Sequence, residues 1–367
     1  MINEQRLVAT FKYLVKIDSL SYKETAIMNF LEEELKSLGL KPYPAGRPVG
    51  GTACNLAVDL PGRGPRLILN AHVDTVAPGN NIKPIQRGTK IYSNGTTVLG
   101  ADDKTGVAVI LEILRMIKEK QLVHPNLRII FTVAEEVGLC GAKAVPAKLL
   151  KADYAITLDH GEVDAIVNQA PAQDSFTAVI IGKAAHAGIH PEKGINAIKA
   201  AGAAIAAMKI GRLDYETTAN IGLISGGRAT NIVPDHVEIK GEARSHNPAK
   251  LKKQIEHMKQ VLTKTCAKHG AKTKINVQRM YNAFHVKATE PIARLALAAV
   301  RKQDLKPKLI PTGGGSDANI FNAVGVPTIN MGVGMHRVHT TSEYADVKEM
   351  VKGAEVVLNI IKAAAND

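Results

Sequence analysis

Apolar residues recur at helical spacing twice near the start of the chain. Leu7, Val8, Phe11, Leu14 and Val15 form one stripe, and Ile27, Phe30, Leu31, Leu35 and Leu38 form another that stops at Gly39. That spacing predicts two amphipathic helices. The texture then changes to short, continuously apolar runs bounded by breakers, at 54–60, 66–70, 127–133 and 154–158. Runs without alternation predict strands buried on both faces by helices. Between them, residues 104–120 carry Val107, Ile110, Leu111, Leu114 and Ile117 at helical spacing. This part of the chain reads as an α/β layer.

From about residue 172 the pattern is different. A strand-like stretch at 175–181 precedes an alanine-rich helical stretch at 195–208. Two further strand patterns (219–225 and 236–243), a long basic amphipathic helix (248–268) and a last strand (273–279) follow. The order β-α-β-β-α-β is that of a small open α+β sandwich. After about residue 285, helix and strand alternate again: 292–301, 305–310, a turn and helix at 317–324, 327–331, and a final helix from Val347. The simplest organisation is a larger domain, 1–171 and 285–367, interrupted by an inserted domain, 172–284. No internal repeat is visible.

Composition narrows the class. A chain of 367 residues is long enough for two buried cores. No apolar run approaches the roughly 20 residues needed to cross a bilayer, so no membrane partner is expected. The N-terminus lacks the basic start, apolar centre and small-residue site of a secretory signal. Cys54, Cys140 and Cys266 are scattered and odd in number, which argues against a disulfide framework. A cytoplasmic protein is the expectation. The formal charge of +13 would suit nucleic acid, but the lysines form no compact block and only 4% of residues are aromatic. A solvated basic surface, with no nucleic-acid partner, is the better reading.

Chemistry concentrates where the strand patterns end. His72, with Asp74 two residues on, lies just past the run at 66–70. Glu135 and Glu136 follow the run at 127–133, Asp159 follows 154–158, and a glycine loop with His339 follows 327–331. The carboxyl ends of neighbouring strands in an open α/β sheet converge on one crevice. A fifth element, Asp102-Asp103, opens a helix, where acids also serve simply as caps. Each residue alone has an ordinary structural explanation; all five on one edge form the pattern of a built site. Crowded carboxylates repel unless cations neutralise them, and zinc accepts imidazole nitrogen and carboxylate oxygen. Two metal ions about 3.5–4 Å apart would need a shared carboxylate. Asp74 is spaced to hold the far nitrogen of His72, and one of the two glutamates is free to take a proton.

At these residues the sequence resembles the M20 family of co-catalytic zinc peptidases and deacylases, in its peptidase T-like (tripeptide aminopeptidase) branch. The matching stretches are Ala-His72-Val-Asp74-Thr-Val, Leu-Gly-Ala-Asp102-Asp103-Lys-Thr-Gly, Thr-Val-Ala-Glu135-Glu136-Val-Gly, Leu-Asp159 and His339-Thr-Thr-Ser-Glu343. The match runs in order over essentially the whole chain. It implies two Zn2+ ions per subunit, with Co2+ or Mn2+ as substitutes. Asp102 would be shared, His72 and Asp159 would complete one ion, and Glu136 and His339 the other. It further implies Glu135 as general base, Asp74 as the orienter of His72, and a cis Asp102–Asp103 peptide.

The inserted segment resembles the family's lid or dimerisation domain, which implies a homodimer. His186, in Gly182-Lys-Ala-Ala-His186, resembles the histidine that holds the reaction's oxyanion. Asn231 and Arg244 resemble the residues that hold substrate, an arginine fork being suited to a peptide carboxylate. The loop at 312–317 resembles one that lines the family's cleft, and it lacks the ending of a phosphate-binding P-loop. Asp at position 159 resembles the aminopeptidase members, whereas His160-Gly161 departs from the Gly-Gly of peptidase T proper.

The implied fold is an α/β zinc-peptidase domain with a mixed, mostly parallel sheet between helices, plus an inserted α+β lid. The implied reaction is aminopeptidase release of the N-terminal residue of a tripeptide, by water activated through zinc and Glu135. An N-acyl amino-acid deacylase or dipeptidase would share every ligand and stays open as a rival. A non-catalytic or nucleic-acid-binding protein is the remote alternative.

Overall fold

The strands at 66–72 and 126–132 are buried at every position but the first, and that at 328–332 at every position. Strands of that kind need cover on both sides, and the computed structural model, which describes residues 2–366, supplies it. Across the main sheet the strands lie in the order Leu56–Leu60, Asn126–Thr132, Arg66–His72, Tyr154–His160, Thr328–Gly332, Ala165–Ala170. The central four run parallel, and the two flanking strands are antiparallel to their neighbours. Lys308–Pro311 adds a parallel strand beside Ala165–Ala170.

One face is covered by helix Ala101–Lys120, which packs on the strands and against helices Glu4–Leu14 and Val347–Ala364. It is buried nearly all round, as a helix apolar on every side must be. The other face packs Ile68, Ile130 and Ala155 against Ala142, Leu150, Phe321 and Val326. Each large side chain so enclosed contributes about 1.5–3 kcal/mol. The helix ends are tied down locally. Asn3 accepts the N–H of Arg6 at 3.1 Å, and Asp346 accepts those of Lys348 and Glu349 at 3.0 and 3.4 Å.

Register decides where the strands deliver their terminal residues. His72 pairs with Thr132, Asn70 with Thr157, and His160 with Gly332. The carboxyl ends of all four central strands are therefore level, and the residues just beyond them meet. A small second sheet, Met335–His336, Tyr344–Asp346, Lys90–Tyr92 and Ile85–Arg87, lies in the same unit. Its strands of two or three residues are too short to leave a period in the sequence.

The contact pattern divides the chain into two units, the first reaching Gln169 and resuming with His285–Thr312 and from Ser316 onward. The second comprises Ala170–Phe284 with Gly313–Gly315. Those three glycines lie with the second unit rather than with the flanking chain. Gly313 O accepts Arg244 Nη1 at 3.4 Å, and a Cβ on Gly315 would fall 2.3 Å from the Tyr281 ring. The second unit is an antiparallel sheet in the order Gly211–Arg212, Thr217–Gly226, His236–Ser245, Ala172–Ile181, Lys272–Tyr281. Strict alternation of burial along Ala172–Ile181 marks a sheet covered on one face only. The cover is helices Ala197–Ala207 and Pro248–Lys268, where Ala197, Ala200, Ala201 and Ala204 allow close approach and Cys266 fills the core. Among the described residues no helix is long and apolar enough to cross a membrane.

Candidate metal centre

His72 ends its strand buried, 3% exposed. Its Nδ1 lies 3.1 Å from the carbonyl oxygen of Asp74 and 3.4 Å from that residue's Oδ1. Both neighbours can only accept, so Nδ1 carries a proton and Nε2 is the nitrogen that could offer a lone pair to a metal once its own proton is lost. Nε2 in turn faces Asp102 Oδ1 at 3.1 Å. The other oxygen of the same carboxylate, Asp102 Oδ2, faces His339 Nε2 at 3.2 Å. One carboxylate thus stands between two imidazoles. Glu136 Oε1 also meets His339 Nε2, at 2.9 Å.

The Asp102–Asp103 peptide is cis, and both residues have non-helical dihedrals, so the regular helix starts only after them. The two aspartates then have different tasks. Asp103 is used by the backbone: Oδ2 accepts the N–H of His72 at 3.2 Å and Oδ1 that of Gly106 at 3.1 Å. Position 106 must be glycine, because a Cβ would lie 2.4 Å from both Asp103 Oδ1 and Leu158 O.

Glu135 and Glu136 leave the strand end through Ala134, at φ 50°. Asp74 catches this turn, accepting the N–H of Glu135 at 2.9 Å and of Glu136 at 3.2 Å, with Ser21 Oγ donating at 2.7 Å. Glu24 accepts the N–H of Ala134 at 3.0 Å. Asp159 is held by Asn330, which accepts its N–H at 2.9 Å and donates to its carbonyl at 2.7 Å. Potential ligand atoms of His72, Asp103 and Asp159, and those of His72, Asp102 and Glu136, lie within 4.8 Å of one another.

Electrostatics follow from this crowding. Burial raises the carboxyls of Glu135, Glu136, Asp103 and Asp159, and neighbouring acids add to the effect. Asp102 goes the other way. Burial would raise it, but hydrogen bonds from His339 and His72 hold it below the usual carboxylate range. Hydrogen bonds to Asp102 and Glu136 push His339 up to about 10. Against the effect of burial, Asp102 and Asp74 push His72 well above its ordinary value. So many buried acids cannot all ionise unaided, and divalent cations resolve that conflict. The donors are imidazole nitrogens and carboxylate oxygens, the set that zinc takes. The residues present fit a metal site of that kind.

Three residues singled out for substrate contact lie in the second unit. The segments bearing His186 and Asn231 pair through Ala187 N to Asn231 O and Val233 N to Ala185 O, both 2.9 Å, which brings the two residues together. His186 is exposed, with Nδ1 accepting the N–H of Gly188 at 3.2 Å. Arg244 is already engaged: its Nε and Nη2 donate to Glu242 at 2.8 and 3.2 Å.

The sequence assigned no task to two participants. Glu343 is buried behind Asp102 and accepts three backbone N–H groups. Burial raises it to about 7 although those N–H groups pull the other way. Asp317 is buried where two strands end: its Oδ2 accepts from the Thr132 hydroxyl and, at 3.3 Å, from Asn70 Nδ2. Both stand in stretches noted in the sequence, but they act through backbone or core, which no side-chain pattern records.

Residues 68–363 match the model of peptidase family M20/M25/M40. An uncharacterised protein of Bacillus subtilis, YqjE, is 40% identical over the full length of both chains. A peptidase T of Listeria welshimeri is 25% identical, covering 98% of each chain. A tripeptidase structure from Staphylococcus aureus superposes with a TM-score of 0.94 at 42% identity, covering all of both chains. The aminopeptidase PepT structure from Bacillus cereus gives 0.88 at 42% identity over 99% of each.

Proposed function

The chain belongs to peptidase family M20/M25/M40 and is a metallopeptidase, and we propose that it releases the N-terminal residue of tripeptides. The observation that carries this reading is Asp102, with one oxygen on His72 and the other on His339, in a chain 42% identical to a tripeptidase throughout. His72 and Asp159 would hold one zinc ion, Glu136 and His339 the second, and Asp102 both, with Co2+ or Mn2+ as substitutes. When bound, such ions supply Lewis acidity at the scissile carbonyl and make a water molecule acidic enough to attack near neutral pH.

The protein's own groups do the rest. Glu135 accepts the proton of the attacking water on its carboxylate as the new C–O bond forms. It then returns that proton to the amine as the C–N bond breaks. Asp74 holds the turn bearing Glu135 and keeps the His72 proton on Nδ1. His186 would donate to the developing oxyanion, and Asn231 would hold the substrate beside it. Arg244 would bind the peptide's C-terminal carboxylate in competition with Glu242.

The inserted segment 172–284 is read as the lid and as the seat of a homodimer. Strand Thr217–Gly226 pairs with Gly211–Arg212 only at Thr218 and Ala219. Further along, Leu223 and Ile224 are 65% and 52% exposed, an edge suited to a second copy. Three free cysteines suit the cytoplasm. Lysines of the long basic helix are partly neutralised, Lys250 by Asp214 and Glu216 and Lys259 by Glu256, so neither nucleic acid nor membrane is invoked as partner.

Metal analysis of the purified protein, with a panel of free-amine tripeptides, dipeptides and N-acetyl amino acids, tests the reading. Two ions per chain and turnover of tripeptides are expected. Hydrolysis of N-acetyl amino acids alone would turn the assignment to a deacylase.

A further inference from the structure

We infer that Glu343 is a positioning residue that fixes Asp102 from its main-chain side, so that one short turn holds both the backbone and the side chain of the shared ligand. The inference rests on the ligand assignment proposed above. Gly100 lies in the left-handed region at φ 73°, and Leu99, Gly100 and Asp102 all precede the regular helix, which offers their N–H groups no carbonyl four residues back. Those donors lie in the interior, where Leu99 and Gly100 are buried. Glu343, 1% exposed, fills the need. Oε2 accepts the N–H of Leu99 at 2.6 Å and of Gly100 at 2.8 Å, and Oε1 that of Asp102 at 3.0 Å. A buried carboxylate that accepts several backbone N–H groups is favoured by those hydrogen bonds in its charged form.

What makes this more than a cap is where the acid comes from. It lies 241 positions after Asp102 and four after His339. His339 reaches the same aspartate from the opposite side, with Nε2 3.2 Å from Oδ2. The connecting turn is closed by the N–H of Glu343 on Thr340 O at 3.1 Å and by Thr340 Oγ1 on Arg337 O at 2.7 Å. Just beyond it, strand Tyr344–Asp346 pairs with Lys90–Tyr92. The 339–343 turn therefore holds the backbone of Asp102 with one residue and faces its side chain with another. A shift of the turn would move a terminal ligand and the shared ligand together, and both ions would feel it.

Glu343→Gln separates this role from simple packing. Glutamine keeps the shape but turns one of the two acceptor atoms into a donor, which then faces a backbone N–H. The probe is Co2+, titrated into metal-free protein and followed by calorimetry and visible absorption. Wild type is expected to take up two ions. Metal-free E343Q should fold and melt somewhat below wild type, because one buried N–H loses its acceptor, take up Co2+ ~10–100-fold more weakly, the usual effect of removing a residue that orients a ligand, and show an altered cobalt spectrum. With saturating metal its kcat should recover while KM for a tripeptide stays unchanged throughout. A titration and spectrum that superimpose on wild type would overturn the inference. So would a loss of kcat that excess metal does not restore. If E343Q does not fold, Glu343→Asp decides, since it keeps the charge but withdraws it by one methylene: weakened Co2+ uptake supports the role, and wild-type uptake refutes it. A wild type that binds fewer than two ions would instead sink the ligand assignment itself.

Discussion

Asp74 accepts the backbone N–H of Glu135 at 2.9 Å, tying the proposed base to the strand end that carries His72. The same carboxylate takes the N–H of Glu136, the hydroxyl of Ser21 and a place beside His72 Nδ1. Asp74→Ala leaves those donors buried without an acceptor, at about 1–3 kcal/mol each. Metal affinity should fall ~10–100-fold, and the metal-free protein should melt at a lower temperature. Although burial opposes it, His72 and the other donors hold the Asp74 carboxyl below its ordinary value. Its stabilisation is therefore present above the ordinary carboxylate range and lost as pH falls through the lowered value. Melting curves of wild type and variant should converge in acid.

Glu135→Gln tests the base directly. Glutamine keeps the shape and cannot take a proton, so metal content should match wild type while kcat/KM for a tripeptide drops by about 10²–10⁴. Metal analysis and peptide hydrolysis on one preparation separate the two quantities. Turnover close to wild type would show that another group accepts the proton.

His339 links metal uptake to pH. Its hydrogen bonds to Asp102 and Glu136 raise it to about 10 in the metal-free protein. The raised value means that its ion pairs stabilise the metal-free fold fully below the ordinary histidine pKa and fade as pH climbs through about 10. A cation entering at neutral pH must displace that proton. Calorimetry in buffers of different ionisation enthalpy should register proton release, and affinity should rise by about tenfold per pH unit for each proton displaced. Affinity independent of pH between 6 and 8 would remove His339 from the ligand set.

Leu223→Lys together with Ile224→Lys places two charges on the exposed edge of the second unit, where neither position supports the core. If this edge joins two copies, light scattering should show the variant at half the mass of wild type, with melting temperature little changed. Unchanged mass would place the interface elsewhere.

The parts of the fold and site that were legible in the sequence are those that repeat or that end a repeat. Continuous apolar runs betrayed the central strands, and His72, Glu136 and Asp159 stood out as polar residues at or within a few positions of their ends. Asp102 was harder to read, since an acid opening a helix is ordinary; only the tertiary structure sets its oxygens between two imidazoles. Glu343 was quoted within a motif yet given no task, because it acts on main-chain N–H groups, which no side-chain pattern records. Arg244 looked free in sequence, whereas Glu242, two positions back on the same strand face, holds its guanidinium. Spacing of two along a strand could have signalled that pair.

The strand Thr328–Gly332 is threaded between Tyr154–His160 and Ala165–Ala170, although it is the last of these to leave the ribosome. Four of the proposed ligands and the base are translated by residue 159, but His339 and the Glu343 clamp wait behind this late strand. Until it slots in, the sheet has a gap in its middle and the shared aspartate lacks its second imidazole. On the proposed ligand assignment, the metal centre can close only after residues 328–343 have joined the sheet edge that the first half of the chain builds.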